Sequence, residues 1–237
     1  METTAFHTTR WTLVHNARGE TPQAREALRE LCSRCYTPVI AFLRREGRDE
    51  ESARELAHEF FAKVLAGDTL GQADRDRGRF RTYLLGAVKH FLANHRRDAT
   101  REKRGGGAEH QPLGENTDTS PGIQIPDPSA LPSDNVFDRE WALAIIGRAL
   151  VHLEQESTDP AQFAALKPWL TPAGLPSSQA ETAVQLGVTE GALKVAIHRL
   201  RKRFRLLVRT EVSLTLLEPS DLDDEMHHLV TALASSG

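Results

Sequence analysis

Lys194, His198, Arg199, Arg201 and Lys202 are crowded together, and Arg203, Arg205 and Arg209 come next, with no acid anywhere between 194 and 209. Cations at this density neutralise phosphates, and Arg or Lys heads can also donate in pairs to the acceptors on a guanine edge. A merely solvated helix face intersperses glutamates for i,i+4 pairing, and this one has none. A second constellation lies earlier. Residues 75–104 hold ten Lys/Arg against three acids. Within it Tyr83, His90, Asn94 and Arg97 fall at i, i+7, i+11 and i+14, with Lys89 and Arg96 beside them. A flat ring among cations suits unstacked bases, where each stack is worth about 1–3 kcal/mol. The residues leave a plainer reading open, in which Tyr83 is half-buried and His90 only covers a surface.

The elements that must position these residues read as helices throughout. Ser178–Arg209 has the pattern of two helices joined by a tight turn. Gly187 stands where a helix end needs a residue tolerant of positive φ, and Thr189 offers a hydroxyl cap to the second helix. Leu193, Ile197, Leu200, Phe204 and Leu207 then form one buried stripe, while Ala183, Leu186 and Val188 are expected inside the angle. A helix-turn-helix with a basic second helix is built to enter a major groove.

Upstream, Thr21–Pro22 is a cap with proline at the first helical position. The helix it starts has Ala24, Leu28, Leu31, Cys32, Cys35, Val39 and Leu43 on one side, and Pro38 is expected to kink it. Asp49 caps a helix whose Ala53, Leu56, Ala57, Phe60, Phe61, Val64 and Leu65 match an amphipathic period. A long helix from about Arg79 to Arg101 turns Phe80, Leu84, Ala87, Val88 and Phe91 to a core. Thr8 or Thr9 caps a short helix with Trp11. The Gly- and Pro-rich stretch 103–132 reads as a tether. Beyond it, helices start at Ser133 or Asp134 and at Asp159–Pro160. After Thr210 there are six acids and no Lys or Arg, with Leu222, Met226, Leu229, Val230 and Leu233 on one apolar face.

The expected fold is therefore all-α: two small helical domains, 1–102 and 133–210, joined by a flexible linker at 103–132, and an acidic tail helix within 211–237. The tail admits two readings. It docks near the basic helix and competes with DNA, or it only completes a hydrophobic core.

Composition narrows the function. The net charge of −3 hides two basic patches on an acidic remainder, which points to two separate polyanion contacts. The two cysteines exclude a disulfide framework. Neither a signal peptide nor a membrane span is apparent, which suggests a cytoplasmic protein without membrane contact. Cys32-Ser33-Arg34-Cys35 is expected to be core packing, because both thiols fall on the apolar face. His58-Glu59 begins like a zinc-protease helix, but Ala62 stands where its second histidine belongs. No nucleophile–base pair or phosphate-cradling loop can be assembled, so no enzyme, cofactor or metal site is expected.

The order of these segments resembles the extracytoplasmic-function group of bacterial RNA polymerase sigma factors. Ala53-Arg54-Glu55-Leu56-Ala57-His58-Glu59-Phe60-Phe61 is similar to its A-E-D-L-x-Q-E-x-F helix. Asp74 to Leu85 resembles D-P-E-R-G-x-F-R-x-W-L-L. Gly187 to Lys194, with His198-Arg199, resembles G-I-S-x-G-T-V-K…H-R. Thr8-Thr9-Arg10-Trp11 and Arg104-Gly105-Gly106-Gly107 look like a large-genome subgroup. The resemblance covers roughly Arg25–Arg104 and Phe137–Arg209.

It implies a sigma factor that binds polymerase core and directs promoter recognition and transcription initiation. Glu55, Leu56, His58 and Glu59 would belong to the polymerase-docking helix. Arg75, Arg77, Phe80, Tyr83, His90, Asn94 and Arg97 would capture the melted −10 element. Thr189, Glu190, Lys194, His198 and Arg199, backed by Arg201 and Lys202, would face the −35 element. Partners would be polymerase core and promoter DNA, duplex and melted; an anti-sigma factor belongs to the same picture, although no residue specifies one. Departures from the group's pattern (Glu55 and His58 for Asp and Gln, His90 for Asn, Asn94 for Asp, Ala196 for Arg) prevent borrowing a promoter sequence. The alternatives are a free-standing dimeric helix-turn-helix regulator and a transposase-like accessory, and the second patch with its long tether favours the sigma factor.

Overall fold

A computed structural model describes residues 11–12, 21–66, 79–105, 132–170 and 178–234. Its elements are helical, and no strand occurs among the described residues beyond one isolated antiparallel bridge between Arg79 and Leu216. The helices are α1 (Pro22–Ser33), α2 (Tyr36–Arg45), α3 (Glu50–Ala66), α4 (Phe80–Gly105), α5 (Ser133–Gln155), α6 (Pro160–Leu166), α7 (Gln179–Gln185), α8 (Glu190–Ser213) and α9 (Leu222–Ala234). The all-α class expected from periodicity is what the chain adopts.

Local chemistry explains most boundaries. The Thr21 hydroxyl accepts from the Ala24 amide at 3.1 Å with Pro22 at the first position of α1, and Asp49 accepts from the Ser52 amide at 2.9 Å at the start of α3. Asp159, followed by Pro160, accepts from the Gln162 amide at 2.9 Å. The expected single helix through Cys32 and Leu43 is instead two. Proline has no amide hydrogen and its ring would strike the carbonyl four residues back. The chain therefore breaks at Arg34–Cys35, which puts Pro38 in the first turn of α2, where an amide would be orphaned anyway. Both long basic helices also overrun their expected ends, α4 to Gly105 and α8 to Ser213.

Helix α5 is the hub, packing against α2, α8 and α9. The main core accordingly draws on both halves of the chain. Phe42, Phe60, Phe80 and Leu84 share it with Phe137, Trp141, Ile145, Val212, Leu216 and Leu229. A smaller core under α7 and α8 holds Leu166, Trp169, Ala183, Leu193 and Ile197, and Leu200 packs against both. The division between cores thus falls partway along α8. Most of the expected linker, 106–131, lies outside the described residues, as do residues 8–10 and the loop Ala73–Gly78.

Candidate nucleic-acid interface

The turn before α8 is built from ordinary parts. Ser178 and Glu181 form a reciprocal capping box at the start of α7, with the Glu181 amide donating to the Ser178 hydroxyl at 3.2 Å and the Ser178 amide donating to Glu181 Oε2 at 2.8 Å. The S-x-x-E spacing carried that signal, which sequence reasoning passed over. Gly187 takes φ 65°, and the Ala192 amide donates to Thr189 Oγ1 at 3.2 Å. Ala183 is buried in the angle as expected and Leu186 packs half-buried against the same small core, but Val188 is exposed.

On α8, Thr189, Glu190, Lys194, His198, Arg199, Arg201 and Lys202 are all exposed. Lys194, Arg199, Lys202 and Arg205 have no protein partner among the described residues. Arg201 is steered by its Nε donating to the Trp169 carbonyl at 2.8 Å. Arg203 is drawn off to Glu156, and Arg209 to Asp223 at 2.7 Å. The helix thus offers an unpaired N-terminal basic face, with compensated cations towards its far end. At about 1.5 Å per residue it is roughly 36 Å long, enough for base edges and flanking phosphates together.

Helix α4 is divided differently. His90, Asn94 and Arg97 are exposed, and Arg96, Arg97, Thr100 and Arg101 line an open depression of about 350 Å³. Arg96 also donates to Glu46 at 2.9 Å, and Lys89 pairs with Asp134. At its start the structure corrects two expectations. Phe80 is fully buried and Tyr83 retains only 7% exposure, although base capture called for accessible rings. Trp11 packs against both with its ring tilted, the centroids 5.0 Å and 5.1 Å away. Of the aromatic–cationic face, Tyr83 takes the buried reading, and the three polar residues remain outside. Arg75 and Arg77 lie outside the described residues.

The two arginines beside Phe80 are engaged by acids from far along the chain. Arg81 donates to Glu225 at 2.7 Å and to Asp138 at 2.6 Å, and Arg79 reaches Glu225 at 3.3 Å. Burial acts to lower the Arg81 pKa, but these carboxylates outweigh it and raise the value. Burial likewise pulls Asp138 up, and the His228 contact at 3.0 Å together with Arg81 outweighs it, leaving the carboxyl below its usual range. A second buried acid, Glu211 at the end of α8, receives Arg34 and Arg148 at 2.8 Å each. Both glutamates are missed by sequence reasoning, because their partners stand up to 177 residues away and no local period connects them.

On α3, Glu55, His58 and Glu59 form an exposed row. The His58 ring stacks on Tyr36 at 5.5 Å, with Nε2 2.8 Å from the tyrosine hydroxyl, and Glu59 pairs with Lys63 at 2.8 Å. Leu56, expected in the same docking surface, is buried beneath it. Cys32 and Cys35 are buried and free. Burial pushes the Cys32 thiol up to about 12 and Cys35 well above its ordinary value, as core cysteines behave. No His/Cys/Asp/Glu group suited to a metal occurs among the described residues, and none of the described helices is long and apolar enough to cross a membrane.

Among the described residues the elements are helical, and a capped basic helix with unpaired cations follows a glycine turn, an arrangement suited to nucleic acid. The family model for ECF sigma factors matches residues 8–209, and the chain belongs to that family. It is therefore a transcription-initiation factor of a non-enzymatic family that works with RNA polymerase. No curated protein and no solved structure matches it significantly.

Proposed function

We propose that the chain is a promoter-specificity subunit whose two basic helices divide the promoter between them. The carrying observation is the free N-terminal face of α8, where Lys194 and Arg199 lack partners among the described residues next to a capped start at Thr189. Thr189, Glu190, Lys194, His198 and Arg199 read the −35 duplex, and Arg201 and Lys202 hold phosphates. On α4, His90, Asn94 and Arg97, continued by Arg75 and Arg77, take the melted −10 strand. Phe80 and Tyr83 join them once their covering moves aside. Glu55, His58 and Glu59 dock on the polymerase core, with Leu56 as their apolar support.

In this reading residues 1–102 and 133–210, which share a core in the free chain, part on polymerase, where 103–132 spans the distance between them. Extracting a base from the stack costs a few kcal/mol, which one good stack only balances. Melting accordingly needs polymerase, and the isolated factor does not open promoters. An anti-sigma partner is compatible with this arrangement, and the cytoplasm is its place of work. The test is transcription by core enzyme with and without the chain, on fragments selected from a random DNA pool by the reconstituted holoenzyme. Transcription that depends on the chain supports the reading. Stable dimers that bind palindromes without polymerase, and no stimulated transcription, favour the free-standing regulator.

A further inference from the structure

We propose that the segment after residue 209 is a clasp that holds the strand-capturing end of α4 shut until polymerase core opens it. The proposal rests on the reading of α4 given above and adds a regulation to it. Its residues lie beyond the 8–209 match to the family model.

The closure is made at three levels. In the backbone, the Phe80 amide donates to the Thr215 carbonyl at 2.9 Å and the Trp11 amide to the Leu214 carbonyl at 3.2 Å, so the turn after α8 holds both Trp11 and the start of α4. In the side chains, Glu225 takes Arg79 and Arg81, two cations that would otherwise meet phosphates. In the core, Leu216 and Leu229 belong to the same buried cluster as Phe80, which is sealed.

The contacts are suited to opening. Buried ion pairs add little net stability over a well-packed apolar contact, because their charges regain hydration when they part. The exposed row of Glu55, His58 and Glu59 is not involved, so polymerase can dock while the clasp is closed. The face carrying Lys194 and Arg199 is also free, so the clasp acts on single-strand capture and spares duplex binding. Polymerase first and melted strand second is the order this imposes.

A disulfide across the Arg79–Leu216 bridge tests it in the full chain. Residues opposed across an antiparallel bridge lie about 4.5–5.5 Å apart at Cα, within disulfide reach. The oxidised R79C/L216C chain should lose at least tenfold of its transcription with core enzyme and recover it on reduction, and the single-cysteine variants should ignore oxidant. Equal activity of the oxidised and reduced chains overturns the clasp and leaves the sigma reading intact. A reduced chain and a native chain that both fail to stimulate core enzyme overturn the sigma reading itself.

The near-isosteric E225Q variant decides the matter if the double variant misfolds. It should bind a fluorescein-labelled mixed-sequence single strand at least fivefold more tightly than the native chain, with duplex affinity unchanged. Unchanged single-strand affinity in a folded E225Q chain identifies the tail as core packing only.

Discussion

The start of α8 and the start of α4 are both basic, yet they stand in opposite states. Around α8, every determinant is local: a capping box at Ser178, a glycine at φ 65°, a threonine cap and an apolar stripe, all within one short stretch. Its cations are consequently left to solvent. The start of α4 is held by groups remote in sequence, and its cations are neutralised by Glu225 and Asp138. Charge density alone does not make a polyanion site. What matters is whether the fold brings acids to the same place.

The largest loss is expected at the remote contacts. Glu211→Ala leaves Arg34 and Arg148 facing a void where a carboxylate was. Removing one member of a buried pair costs about 3–5 kcal/mol, and the partial exposure of both arginines places this case near the lower figure. Urea denaturation should show the loss. A midpoint within error of the native chain would mean that the halves are not joined there.

A local determinant should matter less to the whole molecule. Thr189→Ala removes the α8 cap and should cost about 1 kcal/mol, measured by thermal unfolding, with loosened order confined to the first turn. A loss as large as that of Glu211→Ala would erase the distinction between the two regions.

Acid should act on the remote cluster through Asp138. Its folded pKa lies below the ordinary carboxylate value, so its contribution is complete above the unfolded pKa and is lost as pH falls through the folded one. The stability gap between the native chain and Asp138→Asn should therefore be full above about pH 5 and close progressively below the unfolded value near 3.9. A gap that widens in acid would show that the carboxyl is not held in its charged form.

The smallest effect separates free from engaged cations within α8 itself. Lys194→Ala should weaken duplex binding and reduce the salt slope of log K by about 1, as the loss of one phosphate contact does. Arg203→Ala should leave the slope nearly unchanged, since Arg203 is already paired with Glu156. Equal slopes would place Arg203 on the DNA as well.

Much of this was legible in the chain's local patterns. Helical period identified the stripes of α3 and α8, and the cap residues Thr21, Asp49, Asp159 and Thr189 announced where helices begin. The motif order resembled the ECF group, and the family match bears this out. Errors arose where a local pattern has two outcomes. Val188 and Val230 have apolar side chains at plausible positions yet are exposed, because period says which residues share a face and not how much of that face is covered. Tyr83 is the converse, polar enough for a surface and still buried.

By itself the sequence determined the helices, the turn geometry and the basic face of α8, because caps, glycine conformation and 3.6-residue periodicity act within a few residues. Only the tertiary structure decided that α5 joins the two halves around one core, and that Arg81, Glu211 and Glu225 are buried charges within it. Those contacts pair residues 144 positions apart for Glu225 and Arg81, and 177 apart for Glu211 and Arg34. Coulomb attraction and desolvation depend on distance in space, which sequence spacing does not encode once the chain folds back on itself.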